Sequence, residues 1–418
     1  MEPSPSQSSV GSRPRLTGTA AMILGTVVSI IAVYLYQVVA GRMLGSDGFA
    51  PISVMWTVMF LVFTVLLLPV EQYITRHLTI TGGRTAGDRT GILLVGATIT
   101  VGIVLGVGFV LATLDRFFDG EAVFALVMLI NLLGRSLLAA ARGYLAGRRR
   151  FHAYGAAIAI EGVALVVLAL GAAALNPTTL AFAIAMSLGP LSVLLVRPFS
   201  GGYRGEPLQD TSSQGIGFLG PLIIATGASQ LVLSVGPIAV GFVGGTSAAI
   251  SVFFITFTLF RGPVTSSYNI VARVLPDFTA LAAKGEQHRL SAWAGKLGLV
   301  GVVTMVVFGI SGWLLGPAVV DFLYGGEFRP SSRLAALGAA GVGAALIALF
   351  LNQIYIARSE TGRMALVWVS SLVVAGLVLA VTSGEPVIRV GTAFLAGEAT
   401  AMILLASVGT LVHWRDRA

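Results

Sequence analysis

The feature that most constrains this chain is a rhythm of long apolar runs. From Gly18 to His413 such runs recur with only short polar breaks between them. About twenty apolar residues are what an α-helix needs to cross the hydrocarbon core of a bilayer. In lipid the backbone must satisfy its own hydrogen bonds, which leaves helices or a closed barrel. Barrel strands would alternate in polarity over about ten residues. Runs such as Ile23–Val33 and Val163–Ala174 are apolar on every side, and so select helices. Composition agrees, since 56% of the 418 residues are hydrophobic and only 11% are charged, where soluble chains carry roughly a quarter.

The expectation is an all-α polytopic membrane protein of about twelve transmembrane helices, in two six-helix lobes. The expected spans are 18–41, 49–70, 90–113, 121–145, 155–175 and 178–197, then 216–241, 248–270, 291–315, 333–357, 363–382 and 388–412. Residues 1–17 form a polar N-terminal tail leading into an uncleaved first helix, 18–197 an N-lobe, 198–215 a cytoplasmic linker, 216–413 a C-lobe and 414–418 a short tail. The basic residues test this map, because cytoplasmic loops are enriched in Lys and Arg. With both termini inside, the cytoplasmic segments carry Arg13, Arg15, Arg76, Arg84, Arg89, Arg142, Arg148, Arg149, Arg150, Arg197, Arg204, Arg273, Lys284, Arg289, Lys296, Arg358, Arg363, Arg415 and Arg417. The external ones carry Arg42, Arg116, Arg329, Arg333 and Arg389. That ratio of 19 to 5 would collapse with one span added or lost. The expected location is the cytoplasmic (inner) membrane, multi-pass, with both termini in the cytoplasm.

Several function classes drop out. The net charge of +8 does not point to nucleic acid, because the basic residues sit in short loops between spans. The absence of cysteine removes disulfides, thiolate zinc sites and thiol catalysis. Gly295-Lys296 is followed by Leu297, so there is no P-loop. His152, His288 and His413 fall at helix ends and form no metal-like cluster, and no serine has a base in reach by spacing. No enzyme chemistry, metal or cofactor is expected, apart from a possible coupling Na+ or H+.

The two halves are weakly alike. The fourth span ends ARGYLAGRRRF and the tenth NQIYIARSETGR. Aligning Tyr144-Leu145-Ala146 with Tyr355-Ile356-Ala357 sets Arg142 opposite Gln353. Both segments end on the same side, so the expected repeats are parallel, though a three-residue match of common residues also arises by chance.

Four segments resemble the polysaccharide flippases of the multidrug/oligosaccharidyl-lipid/polysaccharide exporter superfamily. Between Val39 and Val62 the pairs Gly41-Arg42, Leu44-Gly45 and Gly48-Phe49 match their first junction. Arg142, Gly143, Leu145, Gly147, Arg150 and Phe151 match a motif at the end of the fourth helix. Phe322–Gly362 is similar to their ninth and tenth helices, and Arg273–Glu286, through Pro276, to the stretch after the eighth. The resemblance implies a central cavity opening alternately to either face. It implies translocation of an undecaprenyl-diphosphate-type lipid-linked saccharide for O-antigen, capsule or exopolysaccharide synthesis, with glycosyltransferases or a polysaccharide polymerase as possible partners. Lipid II flippases usually carry two further helices, which this chain lacks.

A charge near the bilayer centre costs about 2.5–3.5 kcal/mol on insertion scales, so intramembrane polar residues need a reason. Asn131, Arg135 and Arg142 share one face of the fourth span, and Arg261, Thr265, Tyr268 and Asn269 one face of the eighth. Two arginines from two lobes would suit a diphosphate, since guanidinium binds phosphate oxygens through paired hydrogen bonds. The competing reading pairs each Arg with a carboxylate such as Glu161 or Glu398. Those two glutamates, at roughly corresponding places in the halves, are also candidates for ion coupling. Glu71, just after Pro69, is a gate candidate. Tyr34, Gln37, Gln230, Asn352 and Gln353 suit sugar hydroxyls, or simply glue helices together. Pro221, Pro237 and Pro263 are placed to bend the seventh and eighth spans.

Three other readings compete. An ion-coupled multidrug antiporter of the same superfamily would want cavity carboxylates in its first helix, which has none. A major facilitator would continue Asp88-Arg89-Thr90-Gly91 with a basic residue, where Ile92 stands. A non-transporting envelope scaffold would not need buried arginines.

Overall fold

The computed structural model describes residues 14–80, 89–200 and 216–415. Most of the two tails and of the 198–215 linker, together with Asp88, therefore lies outside the described residues. The described residues are helical throughout their ordered elements and contain no strand. Among the described residues, eleven helices are long and apolar enough to cross a membrane. They are α1 (Ala20–Gly48), α2 (Ala50–Thr79), α3 (Gly91–Ala112), α4 (Val123–Gly147), α5 (Phe151–Leu175), α6 (Thr179–Val196), then α8 (Ser247–Val264), α9 (Gln287–Tyr324), α10 (Ser332–Ala357), α11 (Thr361–Val381) and α12 (Pro386–Thr410). Gly220–Ser234 and Gly236–Phe242, bent by 61° to each other, together form α7, and counted as one span they bring the total to twelve.

The expected spans and the observed helices coincide in order, and in number when the bent pair of α7 counts as one span. They differ at the ends, where polar helix turns leave the hydrocarbon layer. Residues beyond 70 continue α2 as Leu68–Ile80, α9 starts at Gln287, and α8 continues through Gly262–Ala283. Polar start signals are used where the chain offers them. Thr178, Thr246 and Ser331 each accept from the backbone N–H three residues on, at 3.2 Å, capping α6, α8 and α10.

The first six helices pack chiefly on one another, α1 along α5 and α2 along α4, and the last six likewise, α9 along α10 and α11 along α7 and α12. Leu93, Leu299, Leu314 and Leu366 are exposed on the outside, the proper place for apolar side chains when the solvent is lipid. An aromatic core runs through the seam between the lobes. Phe49 of the N-lobe lies 6.0 Å from Phe254 and 6.1 Å from Phe328 of the C-lobe.

The repeat is visible in how α4 and α10 stop. Arg149 and Ser359 both have left-handed backbones, with φ of 56° and 58°. Arg150 N–H donates to the Leu145 carbonyl at 2.9 Å, and Glu360 N–H to that of Tyr355 at 2.8 Å. These are the same six-to-one helix closure. They pair Leu145 with Tyr355, one residue away from the alignment expected from sequence. Arg142 thus corresponds to Asn352 rather than Gln353. The same register places Ser371 of α11, not Glu398 of α12, opposite Glu161 of α5. Matching Tyr-x-Ala triplets misleads here because backbone closure, not side-chain identity, fixes the equivalence.

Candidate functional site

The bend of α7 and a break in α8 meet in the seam. In α7, Pro237 has no N–H to give the Leu233 carbonyl four residues back. In α8, Pro263 follows Gly262 at the start of a new helical segment, and Arg261 is the residue at the break. Arg261 reaches across to the first bend. One guanidinium nitrogen, Nη1, donates to the Leu233 carbonyl at 3.1 Å and to Ser234 Oγ at 2.9 Å. The guanidinium also lies over the ring of Phe60, on α2 of the other lobe, 5.2 Å from its centroid. Tyr34 of α1 closes the far side, donating to the Thr258 carbonyl of α8 at 3.3 Å. Trp56, Thr57, Phe60, Leu233, Thr258 and Arg261 thus line a small cavity of ≈ 20 Å³, room for about one water, built from both lobes. Gly236 is required at the bend, since a Cβ there would stand 2.1 Å from Phe253 Cε1.

The C-lobe holds a second cavity of ≈ 40 Å³, lined by Ser229, Gln230, Asn352, Trp368 and Glu398. That is room for a few waters or an ion. Glu398 is 1% exposed, and its Oε2 has no hydrogen-bond partner among the described residues. Gln230 Oε1 is likewise unpartnered, while Asn352 Oδ1 accepts from Trp368 Nε1 at 3.0 Å. Arg261 is close enough to Glu398 to act on it electrostatically.

The N-lobe stripe behaves differently. Asn131 is fully buried and donates from Nδ2 to the Met186 carbonyl of α6 at 3.3 Å. Arg135 Nη1 makes an ion pair with Glu161 Oε1 of α5 at 2.6 Å. Arg142 Nη2 donates to Tyr154 Oη at 2.9 Å and lies 3.3 Å from Glu71 Oε1, which also accepts from Tyr154 Oη at 2.9 Å. The stripe therefore ties α4 to α2, α5 and α6 inside its own lobe. Of the two mid-membrane arginines, Arg135 is held by a carboxylate within the N-lobe and Arg261 lines the cavity between lobes. Gln37 is fully buried, and neither of its side-chain polar atoms has a partner among the described residues, while Gln353 donates to the Leu349 carbonyl of its own helix at 3.1 Å. The side chains of Thr265, Tyr268 and Asn269 lie outside the described residues.

Sequence reasoning missed Tyr154, Phe60, Ser234 and Trp368. The Leu233–Pro237 spacing did carry a signal, because a proline frees the carbonyl four residues earlier and a nearby donor is then wanted. Nothing in the apolar segment Phe63–Leu67 announced that it winds as a π-helix, a feature often found at functional sites.

No family model matches this chain. Among curated proteins, an uncharacterized protein of Mycobacterium tuberculosis and one of Mycobacterium bovis are each 27% identical over 393 residues, covering 90% of this chain and 89% of theirs. Among solved structures, the inward-facing form of a multidrug resistance MATE family transporter of the MOP superfamily superposes with a TM-score of 0.65 at 14% identity, covering 94% of this chain and 98% of that one. An outward-facing form of such a transporter gives 0.52, covering 96% of each. A Vibrio cholerae MATE transporter gives 0.58 at 15% identity, covering 96% of each. The fold is that of the MATE transporters: two helical lobes, eleven to twelve candidate membrane spans and no strand among the described residues.

Proposed function

We propose that this protein is a membrane transporter working by alternating access, and that its substrate is an anionic lipid-linked saccharide of the undecaprenyl-diphosphate type. The observation that carries the reading is Arg261. It sits where two helices break, lines a cavity shared by both lobes and touches the opposite lobe through Phe60. A guanidinium at that point meets any phosphate passing between the lobes, and each bend shifts it when the lobes rock. Tyr34 and Thr57, beside it, are suited to sugar hydroxyls. Cell-surface polysaccharide synthesis in the cytoplasmic membrane, with both termini inside and glycosyltransferases or a polymerase nearby, is the setting this substrate requires.

Glu398 is the residue assigned to coupling, with H+ or Na+ as the driving ion. Its cavity offers one carboxylate oxygen and the Gln230 oxygen without partners, a donor set that suits either ion. The same buried carboxylate favours a second reading, an ion-coupled multidrug antiporter. One experiment separates them. The parent and Arg261→Ala are reconstituted in liposomes, and translocation of a fluorescent diphosphoprenyl saccharide is followed. The proposal requires movement by the parent and a loss of at least about tenfold in the variant. A parent that moves no such lipid, yet moves a cationic dye against a proton or sodium gradient, refutes it in favour of the antiporter.

A further inference from the structure

The seam is fastened at one end by bonds of an unusual kind. At the face where α1 ends, Arg42 donates from Nε to the Leu323 carbonyl at 2.8 Å and from Nη2 to the Phe322 carbonyl at 2.7 Å. These carbonyls are the last turn of α9, in the other lobe. In return, Glu327, just past the end of α9, accepts from Ser46 N–H at 3.1 Å. Asp47 accepts from Ala248 N–H in the first turn of α8 at 3.1 Å. Arg116, after α3, donates to the Gly241 carbonyl in the last turn of α7. Every one of these bonds joins a charged side chain of one lobe to the main chain of the other. The two cations sit on helix C-termini and Asp47 on a helix N-terminus, the signs that helix dipoles favour.

The local sequence is built for this. Gly45 has φ of +69°, which turns Ser46 N–H towards Glu327, and a Cβ at Gly45 would lie 2.8 Å from Glu327 Oε2. Beneath the rim the seam is less well satisfied. Tyr324 crosses it to within 3.3 Å of where a Gly41 Cβ would be, and its buried hydroxyl has no partner among the described residues. Gln37, one turn before Gly41 on the same face of α1, carries two more orphaned atoms. Closure at this face thus combines charged clasps at the rim with buried polar groups that water would satisfy on opening. That is how an equilibrium between two states is held near balance.

We infer that Arg42, Glu327, Asp47 and Arg116 form a latch that holds the lobes together at this face, the one the charge distribution makes external. Its release opens that face. The inference rests on the transport reading for its purpose, but the lobe equilibrium is measured without substrate.

The chain has no cysteine, so spin labels can be placed cleanly. Leu175→Cys and Val381→Cys report from exposed residues at the ends of α5 and α11, one per lobe on the latch face. Distances are measured by pulsed electron resonance in liposomes for the labelled parent and for Arg42→Ala/Glu327→Ala. The latch requires the ratio of long to short distances to rise by about tenfold, with Asp47→Asn and Gly45→Ala moving it the same way. A double variant that elutes and melts like the parent with an unchanged distribution overturns it. Should that variant not fold, Glu327→Gln removes a charge at constant shape and Arg42→Gln removes charge and reach while keeping a polar side chain. An unchanged distribution in both is equally fatal, and a smaller shift in the same direction supports it. If the shift appears while the parent moves no lipid-linked saccharide, the latch stands and the substrate assignment falls.

Discussion

Replacing Glu161 by leucine should show that Arg135 is a structural cation. The pair is close, at 2.6 Å, and the side chains are 12% and 11% exposed, so solvent screens it little. Removing the carboxylate strands a guanidinium well inside the membrane. Insertion scales put such an arginine at about 2.5–3.5 kcal/mol, and breaking a buried ion pair costs about 3–5 kcal/mol. The overlap of the two ranges is about 3 kcal/mol, a shift of roughly two decades in the unfolding equilibrium. Arg135→Met combined with Glu161→Leu exchanges two buried charges for apolar side chains of similar length and should cost within about 1 kcal/mol of nothing. Reversible unfolding in mixed micelles, run as a double-mutant cycle, measures both. A Glu161→Leu cost below about 1 kcal/mol, or a double variant as damaged as the sum of the singles, refutes the reasoning. Transport by the double variant then decides the role of Arg135: retained activity confines it to structure, and lost activity in a stable protein puts it on the substrate.

Tyr154→Phe removes the hydroxyl that links Arg142 to Glu71, and should lower stability by about 1–2 kcal/mol in the same unfolding assay. Gly236→Ala drives a Cβ into Phe253 and should cost about 1–3 kcal/mol, with Phe253→Leu restoring part of it. Glu398→Gln should leave folding intact and flatten the dependence of transport on an imposed ion gradient in liposomes; transport that still follows the gradient removes Glu398 from coupling.

The helices were legible because lipid imposes a length and an all-round apolarity that few other structures share. Their count, order and approximate ends follow from that alone. The bend at Pro237 and the helix break at Pro263 were legible too, since a missing N–H acts locally, whereas Pro221 sits inside the unbroken helix Ile216–Ser234. Pairings were harder. Arg135 and Arg261 look alike in sequence, each a lone cation in an apolar run, and which helix faces which is set by packing between elements more than twenty residues apart. The repeat shows the same limit, because Tyr-x-Ala was matched one residue off and only the left-handed Arg149 and Ser359 fix the register. Arg42 counts in the sequence as an external charge and as part of the Gly41-Arg42 motif, with no sign that its guanidinium reaches the carbonyl end of a helix 281 residues away.

The contrast between the two arginines bears on mechanism. A cation already closed onto a carboxylate, like Arg135 on Glu161, must give up that partner before it can hold a phosphate, and a buried pair resists the exchange. Arg261 is bound to a carbonyl, a hydroxyl and a ring face. On the proposed reading, a phosphate would compete with these neutral contacts, each weaker than the Arg135 ion pair, while the Glu398 carboxylate acts on the same guanidinium. On that reading, such an exchange would unlock the α7 bend from α8 as the substrate arrives. Binding and lobe movement then share one side chain, and Ser234→Ala should weaken the first contact and Phe60→Leu the second. Substrate affinity and the lobe equilibrium should therefore move together in these two variants. Movement of affinity alone would separate the arginine from the rocking of the lobes.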